Sequence, residues 1–299
     1  FRKIVADIMK VSGDKKYVTV AGDGNKKGKE AVDTVALREI TPAKIQAWRQ
    51  ARINGAVKDA ASKRKATVTA NSQIRNAKAL FSKKLIPFIK EDVDLPSPLP
   101  FEDVQPEKVG SLRYHSRIDA EKLMGLAEVE LKEGHPEPYK VFLLALVCGL
   151  RVSEIDHLLW ESIDLDECTL HVRSTEYHQL KSDDSEGVID LGESVCSYLE
   201  LSVTDAEDDF VITVSAGDEV APSAPYRCQK HLNFLREWLR LKGVKVQKPI
   251  HTLRKEVGSL IASEQGIFAA SRYLRHADIQ VTAAFYADKK NKIVPSIGV

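Results

Sequence analysis

Residues 91–110, EDVDLPSPLPFEDVQPEKVG, interrupt the sequence with prolines and acidic side chains and show no helical period. Proline lacks an amide hydrogen and fixes φ near about −65°, so this segment continues neither a helix nor a central strand. Spaced prolines instead indicate an extended, semi-rigid strap. Because a chain of 299 residues is long enough for two domains, the strap predicts a first domain over 1–95, a linker over 96–112 and a second domain over 113–299.

Charge is distributed very unevenly on the two sides of this strap. Residues 1–90 hold 21 Lys and Arg against 7 Asp and Glu, whereas the remaining 209 residues hold 23 against 36. The imbalances nearly cancel, so the formal net charge of the whole chain is only +1. No acidic residue lies between Asp59 and Glu91. A stretch this basic is suited to binding a polyanion. We therefore favour a domain that binds nucleic acid over a soluble domain that is merely rich in lysine.

The first domain is predicted to be a small helical bundle. Its first two helices are FRKIVADIMK and TPAKIQAWRQARI, the second with Thr41 as N-cap and Pro42 at the first helical position. A third helix is expected over about 69–90, and residues 13–30 are expected to form a loop, or a loop with a short hairpin. The third helix is predicted to bury Ile74, Leu80, Phe81, Leu85 and Phe88. Its basic side chains are then free to contact DNA, and the candidates are Arg75, Lys78, Lys83 and Lys84.

The second domain is predicted to be mainly helical with one small antiparallel sheet, an α+β fold. Residues 168–191, CTLHVRSTEYHQLKSDDSEGVIDL, read as short strands joined by the polar turn SDDSEG, and FVIT at 210–213 suggests one more strand. A nearly apolar helix over 137–149 must be buried. The other helices are expected near 118–133, 193–201, 227–242, 251–264, 267–274 and 279–288.

Several classes of protein are disfavoured by the sequence. The apolar run VFLLALVCGL at 141–150 is shorter than the roughly 18 residues that a membrane span needs, and no signal peptide is visible. The four cysteines form no CxxC pair and no zinc pattern, so we expect free thiols at Cys148, Cys168, Cys196 and Cys228. The expected location is the cytoplasm, in association with the nucleoid and without a membrane partner.

Six polar side chains interrupt the apolar pattern of the second domain. His251 and Arg254 share one face of the first turn of HTLRKEVGSLI, away from its apolar face. No glycine-rich phosphate loop, HExxH, GxSxG or carboxylate cluster competes with the set. Two arginines, a lysine, two histidines and a tyrosine suit phosphate chemistry without a metal or cofactor, since the cations can hold oxygens and a phenol can attack. The six are Arg151, Lys181, His251, Arg254, His276 and Tyr286.

The order of these residues resembles that of the tyrosine recombinases, which include the phage integrases and the Xer and Cre type enzymes. The resemblance covers about 113–290 and rests on GLRVSE, QLKSD, HTLR, LRH and FY, which appear in the family's order with family-like gaps. Two features depart from the usual pattern. Arg275 stands where the family usually has the glycine of LGH, and ten residues separate His276 from Tyr286, at the long end of the usual spacing. The basic first domain resembles the family's core-binding domain in architecture alone.

The resemblance implies a mechanism. Tyr286 would attack a DNA phosphodiester and form a 3′-phosphotyrosyl bond, Arg151 and Arg254 would clamp the non-bridging oxygens, and His276 would add a donor. Lys181 would protonate the leaving 5′-oxygen, and His251 would accept or relay the proton of the tyrosine. The implied partner is double-stranded DNA, bound by a homotetramer on synapsed sites and by a monomer or weak oligomer otherwise.

Three functions are therefore weighed for the chain. The first is a site-specific DNA recombinase or integrase. The second is a nicking and closing enzyme of the type IB topoisomerase kind, with the same chemistry but no strand exchange. The third is a DNA-binding protein whose catalytic residues have decayed, and the intact set of six argues against it. For Glu154, three residues after Arg151, the sequence leaves open whether it orients that arginine or faces solvent.

Overall fold

The computed structural model describes residues 1–13, 26–56, 59–109, 114, 118–203 and 209–286. The chain divides into two compact units, Phe1–Ser111 and Leu112–Val299. As predicted, these described residues are mainly helical with one small antiparallel sheet, and the sheet lies in the second unit. Each unit has a hydrophobic core of its own.

The first unit is a bundle built on α1 (Arg2–Val11), α3 (Pro42–Gly55) and α4 (Ala60–Ala79). The predicted cap of α3 is present, since the Thr41 side chain accepts a hydrogen bond from the amide of Lys44. Apolar residues of the three helices meet in a core that includes Ile8, Ile45 and Ile74. The expected loop over 13–30 is partly a helix, because α2 (Lys26–Asp33) begins inside it, and residues 14–25 lie outside the described residues.

The third predicted helix ends earlier than expected. It stops at Ala79. Residues 80–85 form turns, and Pro87 then lies in the first turn of the short helix α5 (Ile86–Ile89). Proline suits the first turn of a helix, where its missing amide hydrogen has no intrahelical acceptor, so Pro87 is compatible with the start of α5. Leu80, Leu85 and Phe88, which were predicted to be buried, lie beyond the end of α4 and are exposed, and the exposure of Phe88 reaches 74%.

The Pro-rich segment packs against the first unit rather than standing free of both domains. Phe101 and Val104 are buried in the core of that unit. Its backbone is held by side chains of α3 and α4: Asn71 Nδ2 donates to the carbonyl of Glu107 at 2.8 Å, and Lys78 Nζ donates to that of Glu102 at 2.7 Å. An extended chain leaves its carbonyls without partners, and these side chains satisfy them.

The second unit is organised around α7 (Pro136–Leu146), which is buried along almost its whole length. Its core is closed by the apolar faces of the surrounding helices. These are α6 (Ala120–Glu130), α8 (Val152–Asp156), α9 (Glu193–Glu200), α10 (Gln229–Leu241) and α11 (Pro249–Tyr273). The last helix, α12 (Ile279–Tyr286), follows α11 after a turn. Gly266 breaks α11 into two helical parts, with φ of 90°, which agrees with the two helices expected there.

The sheet has the order β1-β2-β3, formed by Ile163–Asp164, Thr169–Val172 and Gly187–Asp190. Leu170 pairs with Ile189 and both are buried. The prediction of a strand at 210–213 is wrong, because only Phe210 forms a bridge. Side chains satisfy the carbonyls there instead: Lys140 Nζ donates to Val211 O at 2.6 Å, and Arg227 Nη1 donates to Ile212 O at 3.0 Å.

The prediction of free thiols is wrong for two of the four cysteines. Cys168, which precedes β2, forms a disulfide with Cys196 on α9. Their separation of 28 residues along the chain carries no signal for this contact, since the fold alone brings β2 and α9 together. Cys148 and Cys228 are free and buried, as expected.

Among the described residues, the longest apolar helical stretches fall short of what crossing a bilayer would require.

Candidate active site

Arg151 is held at the start of α8 by a carboxylate. Gly149, with φ of 60°, turns the chain out of α7, and Arg151 follows as the N-cap of α8. Glu154 accepts the backbone amide of Arg151 at 2.8 Å and its Nη1 at 2.5 Å. Glu154 is 6% exposed, which decides the open question about it. This carboxylate orients Arg151 and does not face solvent.

Arg254 lies on α11 and is only 2% exposed. One terminal nitrogen donates to the carbonyl of Gly149 and the other to the carbonyl of Leu274. These bonds tie the guanidinium to both the turn before α8 and the end of α11, so its position is fixed by backbone rather than by flexible side chains. Burial and the neighbouring charge of Arg151 lower the pKa of Arg254.

His276 is placed by the turn between α11 and α12. Its Nδ1 lies 2.7 Å from the hydroxyl of Thr282, which is fully buried on α12. Burial and the charges of Arg254 and Arg151 lower the pKa of His276 to about 4, so the ring is neutral at pH 7. Because Nδ1 of His276 is occupied by Thr282, its Nε2 can form a hydrogen bond with a ligand in the cleft.

Tyr286 ends α12 and packs against α11 at a glycine. A Cβ on Gly258 would lie 2.9 Å from both Cζ and the hydroxyl oxygen of Tyr286, which is closer than real Cβ contacts. Position 258 must therefore be glycine for the ring of Tyr286 to lie where it does. Burial raises the pKa of Tyr286 to about 12, so the phenol keeps its proton at neutral pH and needs a base to become a nucleophile.

The end of α12 is also held from the N-terminal side of the second unit. The amide of Tyr114 donates to the carbonyl of Phe285 at 2.9 Å, and its hydroxyl donates to Oε2 of Glu256 at 2.7 Å. Glu256 lies on α11 and is 2% exposed. Tyr114 thus joins α11 to the last turn of α12, beside Tyr286.

His251 and Lys181 complete the set from two other elements. His251 is on the first turn of α11. Desolvation of its ring in the cleft lowers its pKa to about 4, together with the charges of Lys255 and Arg254. A neutral imidazole can accept a proton. Lys181 is exposed and lies in the connection between β2 and β3, after strand β2 has ended at Val172.

All six residues that the sequence singled out line one open cleft of about 380 Å³. They reach it from different parts of the chain: the start of α8, the β2–β3 connection, α11, the turn after it and α12. Ser182, Ser185 and Lys255 also line it. Within the described part of the chain, no three His, Cys, Asp or Glu side chains are grouped as in a metal site. The four predicted DNA contacts lie elsewhere, exposed on the first unit.

Sequence reasoning missed several residues that support this cleft. Thr282, Gly258 and Glu256 act through contacts with partners from 6 to 142 positions away along the chain. Only Glu154 carried a local signal, its place three residues after Arg151.

No curated protein matches the sequence significantly. Solved structures with a similar fold include the integrase of transposon Tn1549 in complex with a circular intermediate DNA. That match has 15% identity, a TM-score of 0.59, and covers 94% of this chain and 95% of that one. A lambda integrase dimer bound to a COC′ core site has 18% identity and a TM-score of 0.56, with 89% and 86% covered. A lambda integrase tetramer bound to a Holliday junction has 16% identity and a TM-score of 0.56, with 99% and 79% covered.

The family is given by the sequence profile. Residues 117–292, more than half of the chain, match that of the phage integrase family. The match spans all six residues of the cleft and confirms the family predicted from their motifs. The chain belongs to the phage integrase family, the site-specific tyrosine recombinases.

Proposed function

We propose that the cleft cleaves and rejoins DNA, with Tyr286 as the nucleophile and a 3′-phosphotyrosyl bond as the intermediate. The observation that carries the proposal is the meeting of two arginines, two histidines, a lysine and this tyrosine in one cleft. In cleavage the phenol oxygen bonds to phosphorus while the bond to the 5′-oxygen breaks. Rejoining reverses the step, so the energy of the phosphodiester is conserved and no cofactor is consumed.

The arginines are proposed to hold the two non-bridging oxygens of the scissile phosphate. Arg151 and Arg254 are both fixed before DNA arrives, one by Glu154 and the other by two carbonyls. Donors that are already in place need no reorganisation as charge builds up in the transition state. His276, held by Thr282, would donate to the same phosphate through Nε2.

Proton transfer is assigned to His251 and Lys181. Tyr286 must lose its proton as it attacks, and His251 lines the same cleft with an imidazole that would accept or relay that proton. Lys181 would give a proton to the departing 5′-oxygen. The cations of the cleft provide the charge that a metal supplies in other phosphoryl transfer enzymes, so we propose that no metal is needed.

The first unit is proposed to supply most of the affinity for the duplex. Arg75, Lys78, Lys83 and Lys84 are exposed on α4 and the turns that follow it. Contacts to backbone phosphates provide a large share of protein–DNA affinity and carry no sequence information directly. By analogy with the lambda integrase tetramer on a Holliday junction, we propose a homotetramer on synapsed DNA and a monomer or weak oligomer without it. The site of action would be the nucleoid in the cytoplasm.

The test is to trap the intermediate. Duplexes drawn from the DNA that flanks the gene, nicked near the candidate cleavage sites, lose the short strand after cleavage and cannot be rejoined. We expect a protein–DNA adduct that survives denaturation, forms equally well in excess chelator, and maps to Tyr286 by peptide sequencing. Tyr273→Phe is the matched control, because this tyrosine lies at the end of α11, donates to the carbonyl of Val147 and does not line the cleft.

Strand exchange separates the recombinase from a nicking and closing enzyme. Two intact flank duplexes of different length should yield recombinant lengths in a reaction that depends on both partners. Relaxation of supercoils without recombinant products would favour the topoisomerase-like activity. Binding without any adduct would favour the decayed DNA-binding protein.

A further inference from the structure

The turn after α11 contains an arginine in a backbone conformation that suits glycine. Arg275 has φ of 51°, in the left-handed region. A side chain there costs free energy, and such residues persist only where the surrounding structure holds them. The side chain of Arg275 is nevertheless 4% exposed, so it is turned into the protein and not out to solvent. Something in the interior must compensate for this placement.

The compensation is an ion pair with the carboxylate that orients Arg151. Arg275 Nη2 donates to Glu154 Oε2 at 2.8 Å, and the Glu154 side chain is also 4% exposed. The other carboxylate oxygen accepts Nη1 of Arg151 at 2.5 Å. Glu154 therefore lies between two guanidiniums, one buried and one reaching the cleft.

The charges of this trio matter for the phosphate. A carboxylate paired with Arg151 alone would cancel its charge, whereas two arginines and one carboxylate leave a net charge of +1. Burial by itself raises the pKa of Glu154, but Arg275 and then Arg151 outweigh it and keep the pKa lowered. The carboxylate is thus ionised and able to hold both arginines.

The β hairpin leaves room for this side chain. A Cβ on Gly187, the first residue of β3, would lie 3.1 Å from Cδ of Arg275. Gly187 ends the connection that carries Lys181. The aliphatic part of Arg275 therefore packs beneath the hairpin while its guanidinium reaches Glu154.

We propose that Arg275 is a positioning residue for strand transfer, which holds Glu154 and through it fixes the guanidinium of Arg151 and preserves its charge toward the scissile phosphate. This inference rests on the proposed function of the cleft. Arg275 itself does not line the cleft and contacts no reacting atom.

The experiment compares single-turnover cleavage of the nicked flank duplexes by the full chain and its variants. Arg275→Met removes the charge and keeps much of the volume, and we expect cleavage to fall by about 10- to 100-fold, the scale of a misplaced catalytic group. Affinity for the duplex should stay nearly unchanged. Arg275→Lys keeps a cation near Glu154 and should retain more activity than the methionine variant. Arg272→Met, on an exposed arginine of the same helical end, is the matched control and should behave as the unmodified chain.

Two further measurements separate positioning from a structural role. A methylphosphonate at the scissile position carries no charge, so its cleavage depends less on Arg151, and the deficit of Arg275→Met should shrink on it. In a double-mutant cycle with Glu154→Gln, the second substitution should cost much less than the first, because both act through one carboxylate. The double variant buries no carboxylate, and its comparison with Glu154→Gln alone keeps the test available if Arg275→Met fails to fold.

The outcomes are distinct. Full activity of a folded Arg275→Met variant, or equal deficits on phosphate and methylphosphonate, would overturn the positioning role. So would additive losses in the cycle. If the unmodified chain itself forms no adduct at Tyr286, the proposed function fails, and that result is seen before any Arg275 variant is compared.

Discussion

Two groups of cations, one in each unit, are held in opposite ways. In the first unit the basic side chains of α4 and the turns after it, such as Arg75 and Lys83, are exposed to solvent. In the second, Arg254 is 2% exposed and Arg275 5% exposed, and both are anchored by carbonyls or a carboxylate. Exposed charges attract a polyanion over a distance and are screened by salt. A buried and anchored charge such as Arg254 can act on one phosphate at one place, and Arg275 acts only through Glu154.

This contrast explains how a chain with a net charge of only +1 can both bind DNA and act on it. Affinity requires many cations that tolerate movement, whereas catalysis requires few cations that do not move. The acidic excess of the second unit is compatible with both, because four of its basic side chains, Arg151, Lys181, Arg254 and Lys255, meet at the cleft. The predictions that follow test whether affinity and chemistry can be changed separately.

The largest effect is expected from Tyr286→Phe. Removing one oxygen eliminates the nucleophile, so the covalent adduct should disappear altogether. DNA affinity should be nearly unchanged, since the ring still fits against Gly258. Denaturing gels with nicked duplexes measure the first quantity, and equilibrium binding measures the second. An adduct formed by the phenylalanine variant would show that another residue attacks.

Arg151→Ala and Arg254→Ala should each slow cleavage by roughly 10²- to 10³-fold, the scale for losing one preorganised donor to a developing oxyanion. Binding should weaken far less, because the first unit is proposed to supply most of the contacts to backbone phosphates. Single-turnover rates at saturating DNA measure the effect. A loss confined to affinity, with the rate at saturation unchanged, would mean that the buried cations serve binding like those of the first unit.

Lys181→Ala should slow cleavage by about 10²-fold through the loss of a general acid. A 5′-bridging phosphorothioate leaves as a thiolate that needs no proton, so this substrate should restore the rate of the Lys181 variant. The same substrate should not restore either arginine variant. If the phosphorothioate substrate does not restore cleavage by Lys181→Ala, the general acid must be another group.

His251→Ala should lower the rate at pH 7 by about 10²-fold and make it strongly dependent on pH. Without a base, the reaction relies on the ionised fraction of Tyr286, whose pKa is raised to about 12. As long as the pH stays below this pKa, each increase of one pH unit raises the ionised fraction about tenfold. The difference in rate between the variant and the unmodified chain should therefore shrink from pH 7 to pH 9. In the unmodified chain the lowered pKa of His251, about 4, predicts no loss of the base above pH 6. Parallel pH profiles for the two proteins would contradict the assignment.

The sequence predicted the six side chains of the cleft because each sits in a local pattern. Arg151 follows a buried helix, His251 and Arg254 share a helical turn, and a resemblance arranged the pieces in order. The helix N-cap at Thr41 was predicted for the same reason, since its partner, the amide of Lys44, is three residues away.

What could not be predicted depends on contacts between distant segments. The fit of Tyr286 against Gly258, the disulfide from Cys168 to Cys196 and the pairing of Arg275 with Glu154 join elements that only the tertiary fold brings together. Phe88 is a further example, because its periodicity favoured burial, whereas the helix ends at Ala79 and Phe88 lies in a separate short helix. Local patterns define candidates, and packing decides their surroundings.

The central claim is that affinity belongs to the exposed cations of the first unit and chemistry to the buried cations of the second. The most direct test replaces the four candidate DNA contacts with glutamine in the full chain and measures affinity against salt together with cleavage at saturating DNA. The four are Arg75, Lys78, Lys83 and Lys84. The matched control replaces four exposed basic residues of the second unit, Lys122, Lys132, Arg240 and Lys245. We predict weaker binding, a salt slope reduced by up to about 0.9 per neutralised contact, and an unchanged cleavage rate at saturation. Unchanged affinity and slope, or a loss equal to that of the control, would contradict the division of roles between the two units.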